Sequence, residues 1–154
     1  MRKICCFAGH SKIYGDDDLY ERLTSVIREL IQTEGVTEFW VGNYGGFDSL
    51  AAKAVKELKG NYSDVRLCLV IPYLTRVISE YKEQYRSTYD DIIIADIPAT
   101  TPKSLMIIKA NQYMVKNARV LVCYVKYSFG GAAKTLEYAR KRDNIRVINL
   151  DVRI

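Results

Sequence analysis

Short apolar runs alternate with amphipathic stretches along the whole chain, and this alternation predicts a repeated strand–helix order. Ile4 to Ala8, Phe39 to Val41, Val65 to Ile71, Asp91 to Ala95, Val120 to Val125 and Arg146 to Leu150 are mostly apolar on consecutive positions. That is the mark of strands covered on both faces. Leu19, Leu23, Val26, Ile27, Leu30 and Ile31 recur at helical spacing and predict a helix over Asp16–Thr33. Further helices are predicted over about 48–58, over Ser79–Arg86 as a short polar one, over Lys103–Asn117 and over Gly131–Arg142. Asp16, Asp17 and Asp18 suit the start of the first helix, where carboxylates can cap free amides and meet the dipole. Gly35 suits its end. The fold class expected is α/β, a Rossmann-like three-layer sandwich with a mostly parallel sheet. With no repeat, low-complexity stretch or linker, residues 1–154 are expected to form a single domain.

Composition narrows the class without naming a chemistry. The 154 residues are 49% hydrophobic and 27% charged, the balance of a soluble globular protein large enough to bury a core. No apolar run reaches the roughly 20 residues that a membrane-spanning helix needs. Ile4 to Gly9 is too short for the apolar segment of a secretory signal, so a cytoplasmic location and no membrane partner are expected. Cys5, Cys6, Cys68 and Cys123 all lie in apolar, strand-like runs and show no paired zinc spacing. They are expected to be reduced and buried, and neither metal nor cofactor is expected. The net charge of +5 favours anionic partners but does not single out nucleic acid, which is not the expected partner. Lys134, Arg140, Lys141 and Arg142 read as the solvated face and last turn of one helix.

In a sheet of this kind ligands bind beyond the carboxyl ends of the strands, so the turns after strands carry the interest. Ala8-Gly9-His10-Ser11 follows the first strand. Its glycine permits close backbone approach, and His10, the only histidine, is either a structural hydrogen-bonder or a ligand contact. Gly42-Asn43-Tyr44-Gly45-Gly46-Phe47-Asp48 follows the second strand, and its three glycines would let amides converge on an anion at a helix start. The spacing is neither the dinucleotide fingerprint nor the P-loop. Asp48 is expected as the N-cap of the next helix, as an acceptor for a ribose hydroxyl, or both. Tyr127-Ser128-Phe129-Gly130-Gly131-Ala132-Ala133-Lys134-Thr135 again joins a strand to a helix through paired glycines. Two such starts in one sheet point together to a phosphate or pyrophosphate ligand.

Tyrosine is abundant, with 12 in the chain. Tyr44, Tyr73 and Tyr127 fall in turns on the ligand side and can stack on a base. Tyr113 and Tyr138 fall on helices as core or interface residues, and Tyr81, Tyr85 and Tyr89 form a stripe read as packing or a dimer contact.

Fragments spread along the chain carry a family likeness. Cys5-Cys6-Phe7-Ala8-Gly9-His10, Gly45-Gly46-Phe47-Asp48 with Ala51-Ala52, Ile71-Pro72-Tyr73, Asn111-Gln112-Tyr113-Met114-Val115, and Gly130-Gly131-Ala132 ahead of Thr135 and Tyr138-Ala139 occur in order. The chain thereby resembles the YpsA/YoqJ-like branch of the SLOG superfamily, named for the Smf/DprA and LOG proteins. The resemblance implies a Rossmann-like sheet whose glycine turns bind nucleotides or nucleotide-derived molecules. The wider group includes phosphoribohydrolases acting on nucleoside monophosphates, sensors of NAD-derived signals such as cyclic ADP-ribose species, and Smf/DprA proteins that bind single-stranded DNA. The phosphoribohydrolases carry an arginine where this chain has Ala110, with Lys109 beside it. Their threonine and glutamate after the glycine pair are replaced by Ala132-Ala133-Lys134, with Glu137 out of step. The first turn reads Gly-His-Ser, where the branch has Gly-His-Arg.

The expected ligand site comprises Gly9, His10 and Ser11; Gly42, Asn43, Tyr44, Gly45, Gly46, Phe47 and Asp48; Pro72 and Tyr73; Lys109 and Asn111; and Tyr127, Gly130, Gly131, Ala132 and Thr135. Lys109 would supply the charge absent at Ala110, as a point charge and not a fork. No catalytic residue is assigned. The expected function is binding, as sensor or sequestering protein, of a nucleotide-derived small molecule of NAD-derived or cyclic ADP-ribose type, without turnover. The alternatives are an N-glycosidic-bond enzyme, a phosphoribohydrolase or deoxyribosyltransferase-like protein using Asp48 or Glu137, and a single-stranded-DNA-associated protein of Smf/DprA type. A homodimer or higher homo-oligomer is the expected assembly.

Overall fold

The computed structural model describes residues 3–73, 76, 79 and 82–151. Among them the chain runs β1 (Ile4–Gly9), α1 (Leu19–Glu34), β2 (Glu38–Val41), α2 (Gly46–Lys59), β3 (Arg66–Ile71), α3 (Lys82–Thr88) and β4 (Asp91–Ile94). A 3-10 turn (Lys103–Leu105) then leads into α4 (Met106–Asn117), followed by β5 (Val120–Tyr124), α5 (Gly131–Arg140) and β6 (Arg146–Asn149). All pairings are parallel, in the order β4-β3-β2-β1-β5-β6. The Rossmann-like α/β class read from the alternation is the class of the structure.

Period-two alternation divides each central strand between two cores. Cys5 and Phe7 of β1, with Phe39, Val41 and Leu67, pack beneath α1 and α2. Ile4, Cys6 and Ala8, with Trp40 and Cys68, pack against Ala110 and Met114 of α4 and Leu136 and Ala139 of α5. Trp40 lies stacked on Tyr113 of α4, centroids 6.1 Å apart, and its ring nitrogen donates to Glu38 Oε1 at 3.0 Å. The four cysteines are free and buried within strands, and burial raises their thiol pKa values, to about 12 at Cys68 and Cys123.

Helix ends follow local chemistry with one correction. Gly35 closes α1 at φ 68, a left-handed cap. Asp18, at the N-cap of α1, makes no capping hydrogen bond through its side chain. Asp16 turns inward instead: Arg22 donates to both its oxygens at 2.8 and 3.1 Å, and Tyr124 Oη donates to Oδ2 at 2.9 Å. Arg22 also donates to Leu150 O at 2.8 Å, so α1, β5 and the exit of β6 meet at one buried carboxylate. Tyr85 and Tyr89 stack on one another and pack on Leu69 and Ile71, while Tyr81 lies outside the described residues. The helix expected over Ser79–Arg86 is described from Lys82 onward and runs to Thr88. Among the described residues no helix is long and apolar enough to cross a membrane.

Candidate ligand-binding site

The strand order reverses between β1 and β5. From β1 the chain steps outward through β2, β3 and β4, then crosses back to lay β5 and β6 on the other side. Loops leaving β1 and β5 diverge there, opening a crevice. A cleft of about 430 Å³ occupies this place, lined by the turn after β1, by Tyr44 and Asp48 near the start of α2, by Ile107 and Asn111 of α4, and by Tyr127 to Ala132 ahead of α5.

The two glycine-rich helix starts differ in kind. At α2 the amides expected to hold an anion are largely engaged: Gly46 N–H donates to Ser11 O at 2.6 Å and Phe47 N–H to His10 O at 3.3 Å. The glycines make room for that backbone contact. A Cβ on Gly45 would lie 2.4 Å from Ser11 Cα, and one on Gly46 would lie 2.9 Å from Ser11 O. Gly42, Asn43, Gly45 and Gly46 do not line the cleft. Phe47 is wholly buried, stacked on Tyr124 at 6.1 Å, and sits where a Cβ on Gly9 would fall. It belongs to the core because an apolar ring this close to β1 has no wet face left.

At α5 the start is open. Gly130 takes φ +96, a conformation that side chains disfavour, and nothing would touch a Cβ there. Lys134 N–H closes the first helical turn on Gly130 O. The amides of Gly131, Ala132 and Ala133 have no hydrogen-bond acceptor among the described residues, the ordinary condition of a helix N-terminus. Gly130, Gly131 and Ala132 line the cleft, so an anion there would meet these donors and the positive end of the helix. Thr135, expected in the site, is buried behind it, its hydroxyl donating to Gly131 O at 3.0 Å.

Asp48 lies in the first turn of α2, one helical turn past the backbone it serves. It is not the N-cap, a position taken by Gly45. Its Oδ2 accepts the Tyr44 N–H at 3.0 Å, and burial raises its carboxyl pKa to about 6 against the lowering effect of that bond. Beside it Tyr44 lines the cleft with its hydroxyl buried and unpartnered, and burial pushes its phenol up as well. His10 lines the opposite side, its Nε2 accepting the Lys126 N–H at 2.8 Å. Its ring continues into a row of aromatics, with Tyr127 at 5.1 Å and Phe129 stacked on Tyr127 at 5.3 Å. Phe129 and Tyr14 are 72% and 70% exposed, large apolar surfaces left uncovered at the mouth.

Of the residues expected in the site, Gly9, His10, Ser11, Tyr44, Asp48, Asn111, Tyr127, Gly130, Gly131 and Ala132 meet in this one cleft. Pro72 and Tyr73 leave β3, two strands away from β1, and are not among its lining. Lys109 faces a separate furrow with Asp96, Gln112 and Lys116, because Ala110 and Met114 hold the core face of α4. It cannot replace a cation lost at Ala110. Among the described lining residues the lysine is Lys12, next to Ser11, the position where the resembled branch has an arginine. Lys12, Tyr14, Ile107 and Phe129 had no place in the expected site. Ile107 was within reach, since it lies one helical turn before Asn111 on the same face. Glu137 is exposed and pairs with Lys141 at 3.5 Å, outside the cleft. Among the described residues no cluster of three or more His, Cys, Asp or Glu is placed to hold a metal ion.

A family model described as the YspA SLOG family matches residues 14–151. No curated protein matches the chain in sequence. Among solved structures, DNA processing protein A (DprA) from Streptococcus pneumoniae superposes with a TM-score of 0.59 at 14% identity, over 91% of this chain and 47% of that one. This chain thus spans about half of DprA. The Moco carrier protein of Chlamydomonas rheinhardtii superposes with a TM-score of 0.55 at 15% identity, over 96% of this chain and 76% of that one. At such identities the likeness carries the fold alone.

Proposed function

The chain belongs to the YspA SLOG family, and from that premise we propose that it binds a nucleotide-derived small molecule in the switch-point cleft and holds it without turnover. The observation that carries this reading is the open helix start at Gly130-Gly131-Ala132, facing a cleft that also holds one cation, one carboxyl group and a row of uncovered rings. A phosphate accepts from the amides of Gly131 and Ala132, with Lys12 adding charge. The base stacks on Tyr127 and Phe129. A ribose hydroxyl donates to Asp48, whose Oδ1 accepts no hydrogen bond among the described residues.

Cleaving an N-glycosidic bond calls for a proton donor or acceptor together with a group that stabilises the developing charge. Ala110 is buried and Glu137 faces solvent, so Asp48 is the only carboxylate among the lining residues. The second reading, an enzyme on that bond, draws on this same residue, since a carboxyl pKa near 6 suits acid–base work.

A thermal-shift screen against AMP, ADP-ribose, NAD, cyclic ADP-ribose isomers and cyclic dinucleotides tests both. A ligand at a hundred times its Kd adds ~2.7 kcal/mol, several degrees for a domain of this size. A shift with the ligand recovered intact by chromatography is the expected result. Free base in the eluate establishes the enzyme instead, and no shift with any compound overturns the nucleotide reading.

A further inference from the structure

His10 sits at the switch point and ties three elements together. Its N–H donates to Tyr124 O of β5 at 3.3 Å, its carbonyl accepts the Phe47 N–H of α2 at 3.3 Å, and its ring Nε2 accepts the Lys126 N–H at 2.8 Å. The third bond constrains the chemistry of the ring. Only an unprotonated ring nitrogen can receive an amide, so the imidazole is neutral with its proton on Nδ1.

The placement of that bond matters more than its strength. β5 is secured as far as Val125 by Asn149, which exchanges hydrogen bonds with both backbone groups of Val125 at 3.1 Å. Beyond Val125, among the described residues, the His10 ring is the one side chain bonded to the backbone of residues 126–130. Next come Tyr127, against which the ring rests, and the left-handed Gly130 that opens α5. We infer that His10 is a positioning residue, whose Nε2–Lys126 bond sets the Gly130–Ala132 turn against the cleft and is released when the imidazole becomes imidazolium. The effect on ligand affinity rests on the proposed binding role; the effect on the turn does not.

The surroundings favour the bonded state. Burial lowers the His10 pKa from its ordinary value, Asp151 pulls it upward, and Lys126 pulls it down again. Tyr124 and Tyr127 meet the ring from β5 and the turn after it, Lys12 follows on its own loop, and Asp48 of α2 and Tyr44 of the turn before it line the same cleft. Of these Asp48, raised to about 6 by burial, is a second group that titrates between about pH 8 and about pH 5.

With one histidine in the sequence, the ring nitrogen resonances of His10 are assigned by composition. Lowering the pH from about 8 to about 5 while following these and the backbone amides tests the inference directly. The expected result is an Nδ1–H tautomer at the upper pH. The amides of Lys126, Tyr127, Gly130 and Gly131 then shift with the His10 midpoint, below the ordinary value of about 6.5. His10→Gln, whose side-chain oxygen can take the same amide, keeps the upper-pH positions and abolishes the step. His10→Ala displaces the turn at every pH, and the step survives in Asp48→Asn. An Nε2–H tautomer, turn amides indifferent to the His10 titration, or a step removed by Asp48→Asn overturns the inference. With ADP-ribose as probe, His10→Ala binds roughly tenfold more weakly and His10→Gln recovers to within about twofold. Equal affinity of His10→Ala and the native protein overturns it too. Failure of ADP-ribose to bind the native protein counts against the proposed function alone, since the resonance experiment needs no ligand.

Discussion

The starts of α2 and α5 carry the same signature, paired glycines between a parallel strand and a helix, and they do different work. At α2 another backbone occupies the space that glycine leaves: Ser11 lies against Gly45 and Gly46, and carbonyls of the first turn take two helix-start amides. At α5 the space is empty, the glycine conformation is left-handed, and the amides face the cleft. A glycine pair therefore marks either a backbone contact or an exposed anion cradle. Which one depends on what arrives from elsewhere in the chain.

The sharpest way to break this comparison is to add one methyl group to each turn. Gly45→Ala places a Cβ against the Ser11 backbone and is expected to cost about 3 kcal/mol, read by urea denaturation, as overpacking without a flexible neighbour to yield. Gly130→Ala forces a side chain into a glycine conformation with no steric neighbour, and about 1–3 kcal/mol of strain is expected from the same measurement. A loss at Gly130 exceeding that at Gly45 would reverse the assignment of the two turns.

Asp48 separates them by pH. Its native pKa of about 6 lies above the unfolded value of about 3.9, so its contribution is fully present below the unfolded value and is lost as pH rises through 6. Asp48→Asn, which keeps an oxygen for the Tyr44 amide, is therefore expected to match the native protein near pH 4. By pH 8 it should exceed it by about 1–2 kcal/mol in denaturation experiments across that range. A difference that is flat with pH would show the carboxyl group to be solvated.

The smallest effects on stability belong to the open turn. Gly131→Ala meets only Ile108 Cγ1, at 4.0 Å, so stability is expected to change by less than about 0.5 kcal/mol while the methyl intrudes on the cleft and binding of AMP or ADP-ribose falls. Lys12→Ala is expected to leave the melting temperature unchanged and to weaken the same ligands in a salt-dependent way, measured by titration calorimetry at two ionic strengths. Ligand affinity indifferent to both changes would move the anion away from α5.

These differences explain what was legible in the sequence. The central strands were, since both-face burial writes consecutive apolar residues, and so was Gly35, because a helix stop is a local event. The exact face of α4 was not. Lys109 and Asn111 are two positions apart, and only the seating of Ala110 and Met114 in the core decides that Asn111 turns to the cleft while Lys109 turns away. Phe47 shares its sequence neighbourhood with the glycines of the turn, yet its apolar ring belongs to the core. Asp16 suits a cap by its place in the sequence, whereas Arg22 and Tyr124 are brought to it by tertiary packing from α1 and β5. The closed and open glycine turns could not be told apart, because Ser11 meets Gly45 only once β1 and β2 lie side by side.

Trp40 offers a last consequence. It is the only tryptophan in the chain, held between its bond to Glu38 and the face of Tyr113. Tyr113 belongs to the helix that presents Ile107 and Asn111 to the cleft. The protein thus carries its own optical gauge: a ligand that shifts this helix disturbs the ring stacked on the indole, and the intrinsic fluorescence reports the event without any label.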